Sequence, residues 1–283
     1  MILEPLSPAP PRRRPRRLSI GWPLGLLALI VLAAVTIPAI AGEQGADFAA
    51  ALRPPSAQNP LGTDHFGHDL LVRCAQGLQI SLLIAAVCAV VATVLGALIG
   101  TAAALVGGWL DAVVMRLVDG FNALPHLVLG IVIAAMWRGA PLAIIASIAL
   151  THWPTVARVV RAELLAVTDA GWVQTSRLAG ASRWFVARQH LLPAVAGQGL
   201  VAMVMLLPHA VWHESTLSFL GVGLSPERAS LGTLLGQARG DVLTGAWWTL
   251  VFPAAALIVT ALTFSAAGVS LRQRNSPPTG QVW

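Results

Sequence analysis

The chain has 283 residues, is 56% hydrophobic and carries only 11% charged residues, where a soluble domain carries about 25%. That deficit excludes an ordinary soluble globular protein and points to the bilayer as solvent, in which apolar runs of about 20 residues form spanning helices. The formal net charge of +6 rests on arginine alone, since lysine is absent. Such a balance can serve nucleic acid or anionic lipid. Here the arginines cluster in the segments between apolar runs, so they read as a topology signal, and no nucleic-acid partner is expected.

Residues 1–19 contain PRRRPRR with five arginines and read as a basic cytoplasmic tail. The run IGWPLGLLALIVLAAVTIPAIA at 20–41 is longer than a signal-peptide core and reads as the first spanning helix. After a periplasmic segment at 42–78, a core of five more spanning helices fills 79–271. Its candidate spans are 79–106, 111–136, 141–164, 192–214 and 247–271, each long enough to cross about 30 Å at about 1.5 Å per residue. The 111–136 span contains Asp111, Arg116 and Asp119, with Arg116 and Asp119 spaced to pair within one helix, and NALP at 122–125 is expected to break it at Pro125. A cytoplasmic loop is expected at 165–191, an outer loop at 215–246 and a cytoplasmic tail at 272–283. The arginines divide twelve to five in favour of a cytoplasmic N-terminus. Lipid leaves no partner for open backbone groups, so the spans are helices and the fold class is an all-α membrane protein. Cys74 and Cys88 stand in no CxxC or metal-like spacing and imply no disulfide framework.

The loop GWVQTSRLAGASRWFVARQHLLP at 171–193 is too polar to cross and too patterned for a linker. Val173, Leu178, Ala181, Phe185 and Val186 alternate with Arg177, Arg183 and Arg188, which predicts short amphipathic helices broken at Gly180. Pro193 then opens the next helix at a first-turn position. From these residues alone, a helix lying on the inner leaflet with its arginines toward lipid phosphates fits equally well.

The same loop resembles the signature loop of ABC-importer permeases: Glu-Ala-Ala, three residues, Gly, nine residues, an apolar residue, any residue, Leu-Pro. Here Gly180 is followed by nine residues and then His190, Leu191, Leu192 and Pro193. The Glu-Ala-Ala positions hold Gln174, Thr175 and Ser176, a full departure. His190 stands where an apolar residue is usual, a substitution familiar in the peptide and nickel branch. LGTDHFGHD at 61–69, LSFLGVGLSPERASLGTLL at 217–235 and WWTLVFP at 247–253 resemble stretches of that branch, in order along the chain. The resemblance is to the second permease of a dipeptide, oligopeptide or nickel importer.

It implies a type I importer permease fold in the cell inner membrane. It also implies a heterodimer with a second permease, two ATPase subunits that bind ATP and Mg, and an extracytoplasmic solute-binding protein. The coupling positions carried over are Trp172, Gln174, Arg177, Leu178, Ala179, Gly180, Ala181, Ser182, Arg183, His190 and Pro193. The chain has no GxxxxGK[ST] stretch, and without lysine it cannot form one. ATP chemistry is therefore expected from partners, with no cofactor, no metal and no catalytic residue in this chain.

Four histidines fall within predicted spans: His126, His152, His209 and His213, with Glu214 adjoining the last. His152 lies about 16 Å along its helix, His126 about 22 Å and His209 about 26 Å, which places all of them between the midplane and the outer mouth. Ionisable residues at such depth face an interior or a wet cavity. Two readings follow: these residues line a translocation path, or they hydrogen-bond between helices without a ligand. Imidazole also suits nickel, zinc or copper. PHAVWHES at 208–215 sets two histidines four apart, but its glutamate follows the second. The His-Glu-x-x-His order of a metalloprotease is absent, as is a GxSxG nucleophile motif. The rival functions are a metal-dependent intramembrane hydrolase and an exporter half lacking its ATPase domain.

Overall fold

The computed structural model describes residues 20–42 and 44–275, and of Arg183 and Asn275 the backbone only. The basic tail at 1–19 and residues 276–283 lie outside the described residues. Among the described residues every long element is helical. Five helices are long and apolar enough to cross a membrane, and a bent pair makes a sixth when counted as one span.

Helix α1 (Gly21–Ala41) packs on α2 and α10. It leaves Leu29, Leu32 and Ile40 exposed, as a lipid-facing helix does. Helix α2 (Leu70–Val106) begins nine residues ahead of the hydropathic run, capped by the Asp69 carboxylate, which accepts the amides of Leu71 and Val72. At 37 residues it is about 55 Å long, well beyond the apolar core of a bilayer. Its first turns bury Leu70 and Cys74 against Leu234, Ala246 and Trp248 instead of lipid, which is why hydropathy alone places its start too late. Further along, Gly96 and Gly100 let α2 lie directly on α5 (Pro141–Thr168). A Cβ on Gly100 would stand 2.4 Å from the carbonyl oxygen of Ala157, so only glycine permits this approach.

Helices α3 (Gly108–Ala123) and α4 (His126–Met136) meet at 89°. Pro125 cannot donate to the preceding turn and drives Leu124 into extended backbone, φ −85° and ψ 140°. The pairing expected between Arg116 and Asp119 is not what forms. Asp119 takes Arg158 of α5 at 2.7 Å, and Asp111 takes Arg161 of α5. Charges on α3 thus tie two helices together.

After α5 the chain folds into α6 (Gly171–Leu178), a turn at Gly180 with φ +89°, and α7 (Arg183–Val186). A π-turn over Ala187–Leu191 then feeds α8 (Leu192–Phe219), with Pro193 in the first turn. The segment expected as an outer loop holds a further helix, α9 (Leu231–Leu243), before α10 (Trp248–Asn275). The signals for α9 are in the sequence: Ser230 and Thr233 form a reciprocal capping box, and Leu231, Leu234, Leu235 and Ala238 follow helical spacing. The main apolar cluster gathers α2, α4, α5, α8 and α10 around Ile84, Ile144, Val211, Leu257 and Phe264. Two ends of the bundle are thereby defined: one carries the arginine loop α6–α7, the other carries α9 and the segment before α2.

Candidate functional site: a histidine-lined cavity and the arginine loop

A cavity of about 970 Å³ runs between α5 and α8. One stripe of each helix forms its walls. On α5 the stripe is His152, Thr155, Val156, Val159, Ala162, Glu163 and Ala166; on α8 it is Gln198, Val201, Ala202, Met205, Leu206, His209 and His213. Both follow the spacing of a single helix face. His126 of α4 and Arg272 of α10 complete the lining.

The two ends of the cavity differ in chemistry. At the α9 end the four membrane histidines predicted from sequence meet. The ring centroid of His152 lies 5.9 Å from that of His126, 6.5 Å from His209 and 4.9 Å from His213. At the arginine-loop end, Gln198 donates its amide to Glu163 Oε2 at 3.0 Å, and Arg272 adds a cation. Glu163, Gln198 and Arg272 were not among the expected path residues. The signal for two of them was present: Glu163 is eleven residues after His152 and Gln198 eleven before His209, about three turns on the same helix face.

Glu214 does not join this lining, which corrects its place among the path residues. One residue beyond His213 turns the helix by about 100°, and Glu214 is 0% exposed on the far side of α8. Its carboxyl group accepts the hydroxyls of Ser81 at 2.7 Å, Ser218 at 3.0 Å and Ser215 at 3.3 Å. Ser81 Oγ in turn accepts the amide of Leu231. The group joins α8, α2 and the start of α9.

The arginine loop divides in the same manner. Val173, Val186 and Leu191 are buried against Val156, Val160 and Leu164 of α5. Outward it presents Leu178, which is 90% exposed, together with Trp172, Trp184 and Phe185. Arg177, Ala179, Gly180 and Ser182 are exposed beside them. The His190 ring lies between Trp172, at 4.7 Å, and Phe185, at 6.0 Å. Trp184 was not among the expected residues, although an exposed tryptophan beside arginines is the signal for one. Gln174 donates its side-chain amide to the Thr168 carbonyl at 3.1 Å. It ties α6 to the last turn of α5, a bond that a glutamate there could not donate. Ala181 packs inward against the α5 cluster, and Pro193 opens α8.

Asp64 and Asp69 serve the segment before α2. Asp64 is 3% exposed and takes the amides of Phe66 and His68, with Arg73 at 3.6 Å. Among the described residues no group of three or more His, Cys, Asp or Glu is arranged to hold a metal ion.

A polytopic helical bundle with a cavity that carries polar groups at both ends, and a patterned loop at one end of the bundle, defines a membrane transport component. Residues 92–277 match the family of binding-protein-dependent transport system inner membrane components, and the chain belongs to that family. It is 37% identical over 268 residues to a Brucella suis chain whose name places it in a peptide transport system as the permease, covering 94% of this chain and 90% of that one. It is 33% identical to the dipeptide transport system permease protein DppC of Bacillus subtilis, over 79% of this chain and 70% of that one. To the nickel transport system permease protein NikC of Escherichia coli it is 31% identical, over 92% of this chain and 96% of that one. The fold is shared with the crystal structure of an amino acid ABC transporter with histidines, at a TM-score of 0.54 and 19% identity, over 72% of this chain and 94% of that one. The chain is thus an ABC-importer permease of the type I fold, a multi-pass inner-membrane protein that is not itself an enzyme. The hydrolase and exporter readings fall with that membership.

Proposed function

We propose that this chain forms one half of an ATP-driven importer for a small polar solute of the peptide or nickel class, with the α5–α8 cavity as its share of the path. The arginine loop faces the cytoplasm, as the arginine distribution favours. A second, different permease closes the open side of the cavity. Two ATPase subunits, which supply the ATP and Mg chemistry, seat against α6 and α7, and a solute-binding protein delivers cargo at the α9 end.

The observation that carries this reading is mechanical continuity. Val173, Val186 and Leu191 of the loop pack on Val156, Val160 and Leu164 of α5, and the same helix carries His152 and Glu163 along the cavity wall. A force on the loop therefore reaches the path through one helix. A nucleotide-dependent partner can shift such a bundle only through contacts that differ between its states, and the exposed Trp172, Leu178 and Trp184 offer a surface for those contacts.

Gly180→Pro tests it. Proline fixes φ near −65°, whereas Gly180 sits at +89°, so the substitution disturbs the α6–α7 turn. The expected result in reconstituted importer is ATP hydrolysis that no longer drives uptake of dipeptide or Ni²⁺. Deletion of 178–184 gives the same outcome. Normal uptake with either change refutes the role of the loop.

A further inference from the structure

The hydrogen bonding of His152 sets the chemistry of the histidine end of the cavity. Nδ1 of His152 lies 2.9 Å from the carbonyl oxygen of Ile148, one turn earlier on α5. A carbonyl can only accept, so in the neutral imidazole Nδ1 carries the proton and Nε2 keeps its lone pair. Thr151 Oγ1, also 2.9 Å from Nδ1, commits its own proton to the carbonyls of Ser147 or Ile148 and does not reverse this assignment. The Nε2 edge is left for the cavity, with the His213 ring at 4.9 Å.

A second imidazole at this end has an unmet nitrogen. Nδ1 of His126 is buried and has no hydrogen-bond partner. A buried polar atom left unmade costs free energy unless something arrives to satisfy it. The arginine of the lining, Arg272, stands in the last turn of α10. The partner that fits the lone pair left on Nε2 of His152 is a hydrogen-bond donor.

We propose that His152, with His126, His209 and His213 around it, forms a subsite for a protonated amine of the passing solute, whose N–H groups meet imidazole lone pairs. A solute then travels with its ammonium end toward the histidines, and a carboxylate end is disfavoured there. The proposal rests on the cavity being the solute path, and the experiment separates the two.

The measurement is ¹⁵N solid-state NMR of the whole importer reconstituted in lipid with labelled histidine. The difference between wild type and His152→Gln isolates the His152 signals, and His152→Asn gives the same assignment if the first variant fails to assemble. The expected spectrum shows Nδ1 protonated and Nε2 bare, with the Nε2 signal shifting on addition of ethylammonium chloride and unmoved by sodium acetate. Nε2 found protonated overturns the proposal, as does a shift with acetate alone, a shift with neither salt, or a shift with Ni²⁺ and not with ethylammonium. In a parallel arm, Val201→Trp fills the cavity away from the histidines, and uptake of dipeptide and Ni²⁺ is measured. Lost uptake with no ethylammonium shift in wild type overturns the subsite and leaves the path intact. Retained uptake overturns the path, and with it a subsite for a passing solute, even where ethylammonium shifts the Nε2 signal.

Discussion

Two faces of α8, one residue apart in sequence, have opposite surroundings. His209 and His213 look into the cavity between α5 and α8. Glu214 looks into a dry junction with Ser81, Ser215 and Ser218 and has no exposed surface. The stretch PHAVWHES is therefore not one site. A helix turns about 100° per residue, so neighbours in sequence part company while residues four apart stay together. Polar residues within a membrane serve at least two ends here, one wet and one structural.

The largest effect expected from this contrast is at the dry face. Glu214→Leu leaves the hydroxyls of Ser81, Ser215 and Ser218 without their acceptor. Each buried group so stranded costs about 1–3 kcal/mol, and the junction holds α2 and α9 as well as α8. The expected outcome is a large loss of assembled protein, seen as a lower yield and melting temperature on size-exclusion chromatography. Glu214→Gln keeps an acceptor oxygen and should recover most of the stability. Equal stability of Glu214→Leu and wild type would remove the structural role.

The arginine loop repeats the contrast and predicts the next effect. Val173 is wholly buried on α5 while Leu178 is 90% exposed. Val173→Asp buries an unpaired carboxylate, at a cost of several kcal/mol, about 5 °C or more of melting temperature. Leu178→Ser should leave melting unchanged within about 1 °C and instead weaken the hold on the ATPase. That is measured by the protein concentration at which the complex falls apart. A destabilising Leu178→Ser would mean that its side chain packs within this chain after all.

These pairs also show what the sequence could reveal. The spanning helices, the break at Pro125 and the turn at Gly180 each follow from a local rule: hydropathy, a missing donor, a positive φ. The four histidines were legible as a set because ionisable groups in spans are rare. That they meet around His152 was not legible, because it depends on how α4, α5 and α8 pack. Adjacency in sequence groups Glu214 with the histidines, and only its helix angle separates it. Glu163 and Gln198 were hidden by their distance from the histidines, though the three-turn spacing would have found them. The partners of Asp111 and Asp119 lie on α5, some 40–50 residues along the chain by the separations 39 and 50. No short-range pattern reaches that far.

At the wet face the effect moves from stability to transport. His213→Leu removes an imidazole from the cavity and replaces its ring contact with His152 by an apolar side chain of similar size. Melting should shift by less than about 2 °C, within the range of substitutions away from packed features. Uptake should fall about tenfold, the loss expected when one hydrogen bond to a charged group is removed. Assembly is checked by co-purification of the ATPase subunits. A variant that loses assembly in proportion to uptake would return the histidines to an interhelical role.

The smallest effect is expected at Gln174, where the chain departs from the glutamate of the resembling loops. Its amide donates to Thr168 at 3.1 Å from an exposed position. Gln174→Glu forfeits that bond, worth about 0.5–1.5 kcal/mol at most. It also sets a negative charge near the first turn of α6, which recovers about 0.3–1 kcal/mol. The two nearly cancel, so melting should change by no more than about 3 °C, and the ratio of solute moved to ATP hydrolysed by less than about twofold. A tenfold fall in that ratio with melting unchanged would show that Gln174 touches the ATPase directly. In that case the glutamine has been fitted to its own partner, and the bond to Thr168 is incidental to coupling.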